Sequence, residues 1–199
     1  MNFLRNLFGT KKEENVTSLS SRDLEKAKKL FLEHECSHYQ MGHEGVYNEY
    51  KKYRISKEKE KEWRNEFASN WTSRLSVDDM TPVDKLKAAG AYEALPNLFD
   101  LAAKGDSYVK LWTADAIWTL AIQKDIDANL KKQAIDTALE LLNSIIEGKV
   151  PLSEKYKKKI SNYPLMIKRL NASTPEEYVV NFAKRIRNQV KKSWWVRLF

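Results

Sequence analysis

The sequence predicts an all-α protein, and three observations carry that prediction. Apolar residues recur every three to four positions along most of the chain, the spacing that gathers them on one helical face. Helix-start signatures punctuate it at Ser20, Ser56, Thr81 and Thr174. Six Gly and five Pro in 199 residues are few, and no alternating apolar–polar run or Asn-Gly turn marks a strand or hairpin. A chain of this length can bury one sizeable core. Residues 1–19 read as an N-terminal amphipathic segment and linker, and residues 20–199 as one helical domain. That domain divides into N-terminal helices (20–80), central helical pairs (81–148) and basic C-terminal helices (149–199).

Along the chain, Phe3, Leu4, Leu7 and Phe8 fall on one side of a short helix, and 11–20 is a polar linker. Ser20 and Asp23 form a capping box, because a hydroxyl and a carboxylate three apart satisfy backbone donors reciprocally. Leu24, Ala27, Leu30 and Phe31 then keep helical spacing, and with no breaker before Gly42 the helix is expected to run up to it. Residues 42–45 read as a turn, and Val46, Tyr47, Tyr50 and Tyr53 as a short helix or irregular segment. Ser56 caps a helix over 57–75 whose apolar stripe, Trp63, Phe67, Trp71 and Leu75, belongs in a core. Thr81-Pro82-Val83-Asp84 restarts the chain with a cap hydroxyl, Pro at the first helical position and an early acid. Residues 150–153 break the chain, and a helix begins near Ser153. Tyr163-Pro164 interrupts that helix or begins another. Thr174-Pro175-Glu176-Glu177 is the clearest cap, opening a helix that buries Tyr178, Val179, Phe182, Ile186 and Val190.

The middle carries a resemblance. Residues 94–106 form a leucine-rich helix bearing Pro96 and stopped by Gly105-Asp106. Residues 107–121 follow as a second helix with Ala114, Ala116 and Ala121 at packing positions. This pattern resembles a HEAT-type helical repeat over about 94–146, at most two units. Such a resemblance implies an α-α superhelix of helical hairpins, an extended face suited to holding another protein.

All three histidines and the lone cysteine fall within residues 34–43, and His34-Glu35-Cys36-Ser37-His38 spells H-E-x-x-H. On a helix that spacing puts two imidazoles one turn apart, within reach of one Zn²⁺, with the Glu placed to activate a bound water. With Asn65, Phe67 and Ala68 downstream, the segment 34–68 partly resembles metallopeptidases of the ImmA/IrrE type. That resemblance implies His34 and His38 as zinc ligands, Glu35 as general base and Glu62 or Glu66 as a further ligand. The expected ligand position is Trp63, however, and a one-residue shift turns a helical side chain by about 100°. The edge strand that zincins place upstream of the active helix has no counterpart in the preceding residues. The pattern is therefore read chiefly as boundary histidines beside a small buried cysteine, with no catalytic, metal or cofactor residue assigned.

Charge and composition narrow the rest. The net charge is +8, but residues 149–199 hold thirteen Lys/Arg against three Asp/Glu while the remainder is close to neutral. Lys184, Arg185, Arg187, Lys191 and Lys192, with Trp194 and Trp195, are the candidate residues for contacting a partner or an anion. One Cys permits no internal disulfide, which suits a reducing, cytoplasmic setting, with the apolar termini allowing peripheral contact with a membrane. Absent are a P-loop, G-x-G-x-x-G and G-x-S-x-G. The expected function is a non-catalytic binding or adaptor module for a protein partner, with no small-molecule substrate. A zinc peptidase is the first alternative, and binding of nucleic acid or an anionic membrane through the C-terminal region is the second.

Overall fold

In the computed structural model, which describes residues 19–123 and 126–195 (side chains of 193–195 excepted), Ser20 opens the first helix as its sequence predicts. Its Oγ accepts from Asp23 N at 3.1 Å and donates to the Asp23 carboxylate at 2.7 Å. The expected amphipathic segment before it lies outside the described residues.

Helix α1 spans Ser21–Glu33, α2 His38–His43, α3 Tyr47–Lys51 and α4 Lys57–Thr72. A link containing the isolated bridge Ser76–Asp79 leads to α5, Thr81–Ala88. A 3₁₀ turn at Tyr92–Ala94 feeds α6 (Leu95–Lys104), followed by α7 (Ser107–Ala121) and α8 (Ala128–Ile146). The chain then forms α9 (Glu154–Ser161), α10 (Pro164–Arg169) and α11 (Pro175–Trp195). No strand occurs among the described residues, so the all-α prediction holds. No described helix is long and apolar enough to cross a membrane.

Three boundaries differ from expectation. The first helix stops at Glu33 rather than running up to Gly42, and Gly42 sits inside α2 rather than in a turn. At α5 the cap position is Met80, not Thr81; Asp79 supplies the side-chain acceptor instead, taking Thr81 N at 2.9 Å. Helix α4 ends at Thr72, leaving Leu75 beyond it.

Helix α7 is the centre of the molecule. Val109, Leu111, Ala114, Ala116, Ile117, Leu120 and Ala121 are all buried, so it is apolar nearly all round, as a helix enclosed on every side must be. It packs on α5, α6, α8 and α11. Helix α11 lies across α8, α7 and α9, and buries Tyr178, Val179, Ala183, Ile186 and Val190 there. Helices α1 and α5 flank α4. One continuous apolar cluster runs from Ala27 to Val190.

Candidate functional site

The H-E-x-x-H segment straddles two helices. Glu35 and Cys36 both take left-handed backbone, at φ 57° and 56°, and end α1 before His38 begins α2. Cys36 N donates to Phe31 O at 2.8 Å and Glu35 N to Leu32 O at 3.2 Å, a Schellman-like closure in which Glu35 holds the place usually given to Gly. Left-handed backbone costs an L-residue roughly 1–2 kcal/mol. Specific contacts offset that cost here. The Glu35 carboxylate pairs with Lys85 of α5 at 2.5 Å, Arg64 of α4 donates to Cys36 O at 3.2 Å, and the Cys36 side chain is buried.

The two imidazoles have separate partners. His34 Nδ1–H donates to Leu30 O at 2.7 Å, and its Nε2 faces Glu44 Oε2 at 3.3 Å. His38 Nε2 meets Glu60 Oε1 at 2.8 Å, the oxygen that also accepts from Tyr50 O–H at 2.8 Å. Burial and the Glu60 hydrogen bond together push the Tyr50 phenol above its usual range. Burial likewise pushes the Cys36 thiol up to about 12, with Arg64 opposing. Glu62 is engaged by Lys59 and Glu66 by Lys28, at 2.8 Å and 2.7 Å. Among the described residues, no three His, Cys, Asp or Glu side chains are grouped to hold a metal ion. The expectation that this cluster shares one helix face is thus corrected. The polar contacts tie α1, α2, α4 and α5 together.

On α11, Lys184, Arg185, Lys191 and Lys192 are exposed. Arg187 leaves that row and turns inward, its Nη1 donating to Asn143 Oδ1 of α8 at 3.3 Å. Helix α11 extends through Trp195, but the side chains of Trp194 and Trp195 lie outside those described.

A third locus has no counterpart among the sequence-predicted site residues. A cleft of about 230 Å³ opens between α7, α9, α10 and α11. Tyr108, Trp112, Tyr163, Met166 and Tyr178 wall it, with Asp84 and Lys159 among its polar lining. Tyr108 and Tyr156 stack at 4.2 Å between ring centroids, and the Lys159 ammonium lies 5.6 Å and 5.8 Å from those two rings. Trp112 meets Phe182 edge-on at 6.1 Å. The indole Nε1 of Trp112 is shielded from water and faces the Tyr108 phenol without a hydrogen bond of good geometry. Helix α10 has no buried residue: Tyr163, Leu165 and Met166 beside the cleft are 55%, 72% and 41% exposed. One signal was available in the sequence, since Tyr163-Pro164-Leu165-Met166 places apolar residues consecutively, which no single helix face can bury. Two larger grooves are less suited to an apolar ligand. One of about 470 Å³ is lined by small polar residues such as Ser69, Thr72 and Asn97. The other, about 310 Å³ between α6 and α8, already contains Lys110, bonded to Ala102 O.

Fold and site together define an all-helical protein with an aromatic cleft beside an uncovered apolar arm. No protein-family model, no curated protein and no solved structure matches the chain.

Proposed function

We propose that this chain is a non-catalytic binding module that holds a protein partner on a helical surface. The observation that carries the reading is the α9–α10 arm, where Tyr163, Leu165 and Met166 form a solvent-facing apolar stretch, while the other large hydrophobics among the described residues, Leu19 and Tyr39 apart, are buried or half-buried. Uncovered aromatic and aliphatic residues rimmed by polar ones are the usual mark of an interaction surface. We read the succession α6–α7–α8, in which neighbours in sequence pack on one another, as the helical hairpins that the sequence pattern of 94–146 implies. Helix α11 folds across that succession, so the superhelix we infer is short and closed on one side.

The experiment is isolation of the full-length chain from its source cell under mild conditions. We expect a protein partner at stoichiometric level. Zinc-dependent peptide hydrolysis that disappears in Glu35→Gln would overturn the module reading in favour of the peptidase. Polyanion contact is the second reading, resting on Lys184, Arg185, Lys191 and Lys192, which are exposed and make no ion pair with a described residue. Salt-sensitive retention on heparin that is lost in Lys184→Glu/Arg185→Glu would support it.

A further inference from the structure

We infer that the cleft between α7, α9, α10 and α11 receives a large apolar side chain from an acidic segment of the partner. This rests on the protein-binding reading above and adds the partner's chemistry.

Shape comes first. A concavity of about 230 Å³ walled by Tyr108, Trp112, Tyr163, Met166 and Tyr178 has room for one large side chain, not for a helix or a sheet edge. Anchors of that kind, seated in aromatic pockets, supply most of the binding energy at protein interfaces. One wall is unfinished: α10 packs chiefly on α9, half-buries only Ile167 and leaves Leu165 mostly in water. An anchor entering the cleft would cover Met166 and Tyr163 from inside while its flanking chain crossed Leu165.

Charge selects the flanks. Lys158, Lys168 and Arg169 on the same arm are exposed and make no ion pair with a described residue. Within the cleft, Lys159 and Asp84 offset each other, so the surplus is positive and lies outside, where residues on either side of an anchor would run. Asp and Glu in those flanks meet that surplus, and complementary charge of this kind sets specificity and encounter rate.

Competing occupants fit less well. A bilayer prefers a protruding apolar face to a concave one. A nucleobase could stack on Tyr or Trp. Its phosphate would meet the same positive surplus, but a stacked base would leave Leu165 uncovered.

The test uses full-length protein labelled with ¹⁵N at tryptophan. Its probes are short synthetic peptides with a Leu, Phe, Trp or Ser centre and acidic or basic flanks, single-stranded oligothymidine, and phosphatidylserine vesicles. The Trp112 indole resonance is identified as the one missing from Trp112→Phe. We expect it to move with acidic peptides having an apolar centre, and with no other probe. Binding of those peptides, read by fluorescence anisotropy, should weaken at least tenfold in Met166→Asp and in Lys168→Glu/Arg169→Glu. Leu165→Asp serves as a second variant should Met166→Asp lose its helical circular dichroism. An indole signal that no peptide moves overturns the inference. So does equal binding of Ser-centred acidic peptides, or oligonucleotide or vesicle binding that depends on Met166. Carrying Met166→Asp through the isolation experiment separates the two proposals. A partner kept by the variant sinks only the cleft inference, whereas no partner with either chain sinks the module reading.

Discussion

Glu35 and Cys36 show how two residues redirect a motif. The spacing His34-Glu35-Cys36-Ser37-His38 is legible in the sequence, and so was a helix through it, because no Gly or Pro stands there to stop one. What ends the helix is a pair of left-handed backbones held by Lys85 and Arg64, which are 50 and 28 residues away from their partners. Local spacing carries no record of contacts that distant. Cys36 also gives a prediction with a definite sign. Its thiol is held at about 12 in the fold and titrates near 9.0 when free. The folded protein therefore keeps a proton that the unfolded chain releases, and stability falls as pH rises from about 9 toward 12. The slope for one proton is at most about 1.4 kcal/mol per pH unit. Urea denaturation across that range should show the decline beginning near pH 9. In Cys36→Ala the onset should move to near pH 10, where the raised Tyr50 phenol begins to act in the same direction. Gly105 gives a second prediction. A Cβ built there would lie 2.3 Å from Val109 Cγ1 and 2.4 Å from Val109 Cβ, so Gly105→Ala should cost about 1–3 kcal/mol. Gly42, with nothing within 4 Å, is the control: Gly42→Ala should gain up to about 1 kcal/mol in the same denaturation experiment.

Element boundaries were legible where their capping chemistry is local. Ser20, Ser56, Gly105 and Thr174-Pro175 stand at the helix ends they predict, because each satisfies backbone groups within a few residues. Asp106 goes further. Its Oδ1 caps α7 by accepting from Tyr108 N and Val109 N at 2.9 Å and 3.0 Å, while Oδ2 accepts from Ser153 N at the start of α9. One carboxylate thus joins the turn before α7 to a segment 47 residues on. We expect Asp106→Ala to lower stability by about 2 kcal/mol, since it removes a cap and strands a second donor. Asp106→Asn retains the cap oxygen and should lose about half as much. An Asp106→Asn chain as stable in chemical denaturation as the original would show that the link to Ser153 contributes nothing.

At the scale of the molecule, α11 decides whether the rest holds together. It contributes Tyr178, Val179, Ala183, Ile186 and Val190 to the core and covers α7 and α8. Each large apolar side chain buried is worth about 1.5–3 kcal/mol, and whole domains are stable by only about 5–15 kcal/mol. A chain ending at Thr174 should therefore lose its cooperative thermal transition by circular dichroism. If it melted as sharply as the full chain, and at the same temperature, residues 20–174 would be an independent unit. By itself the sequence determined the helical class, most of the helices and the stripes they bury, because periodicity and capping act over one or two turns. It also showed the unbalanced charge of residues 149–199. Only tertiary structure decided that the histidine pair is parted between two helices, that Arg187 turns inward, and that Tyr108, Trp112, Tyr163, Met166 and Tyr178 meet around one cleft. Those outcomes depend on which faces of distant helices come together, and packing over such separations is settled by the whole core at once.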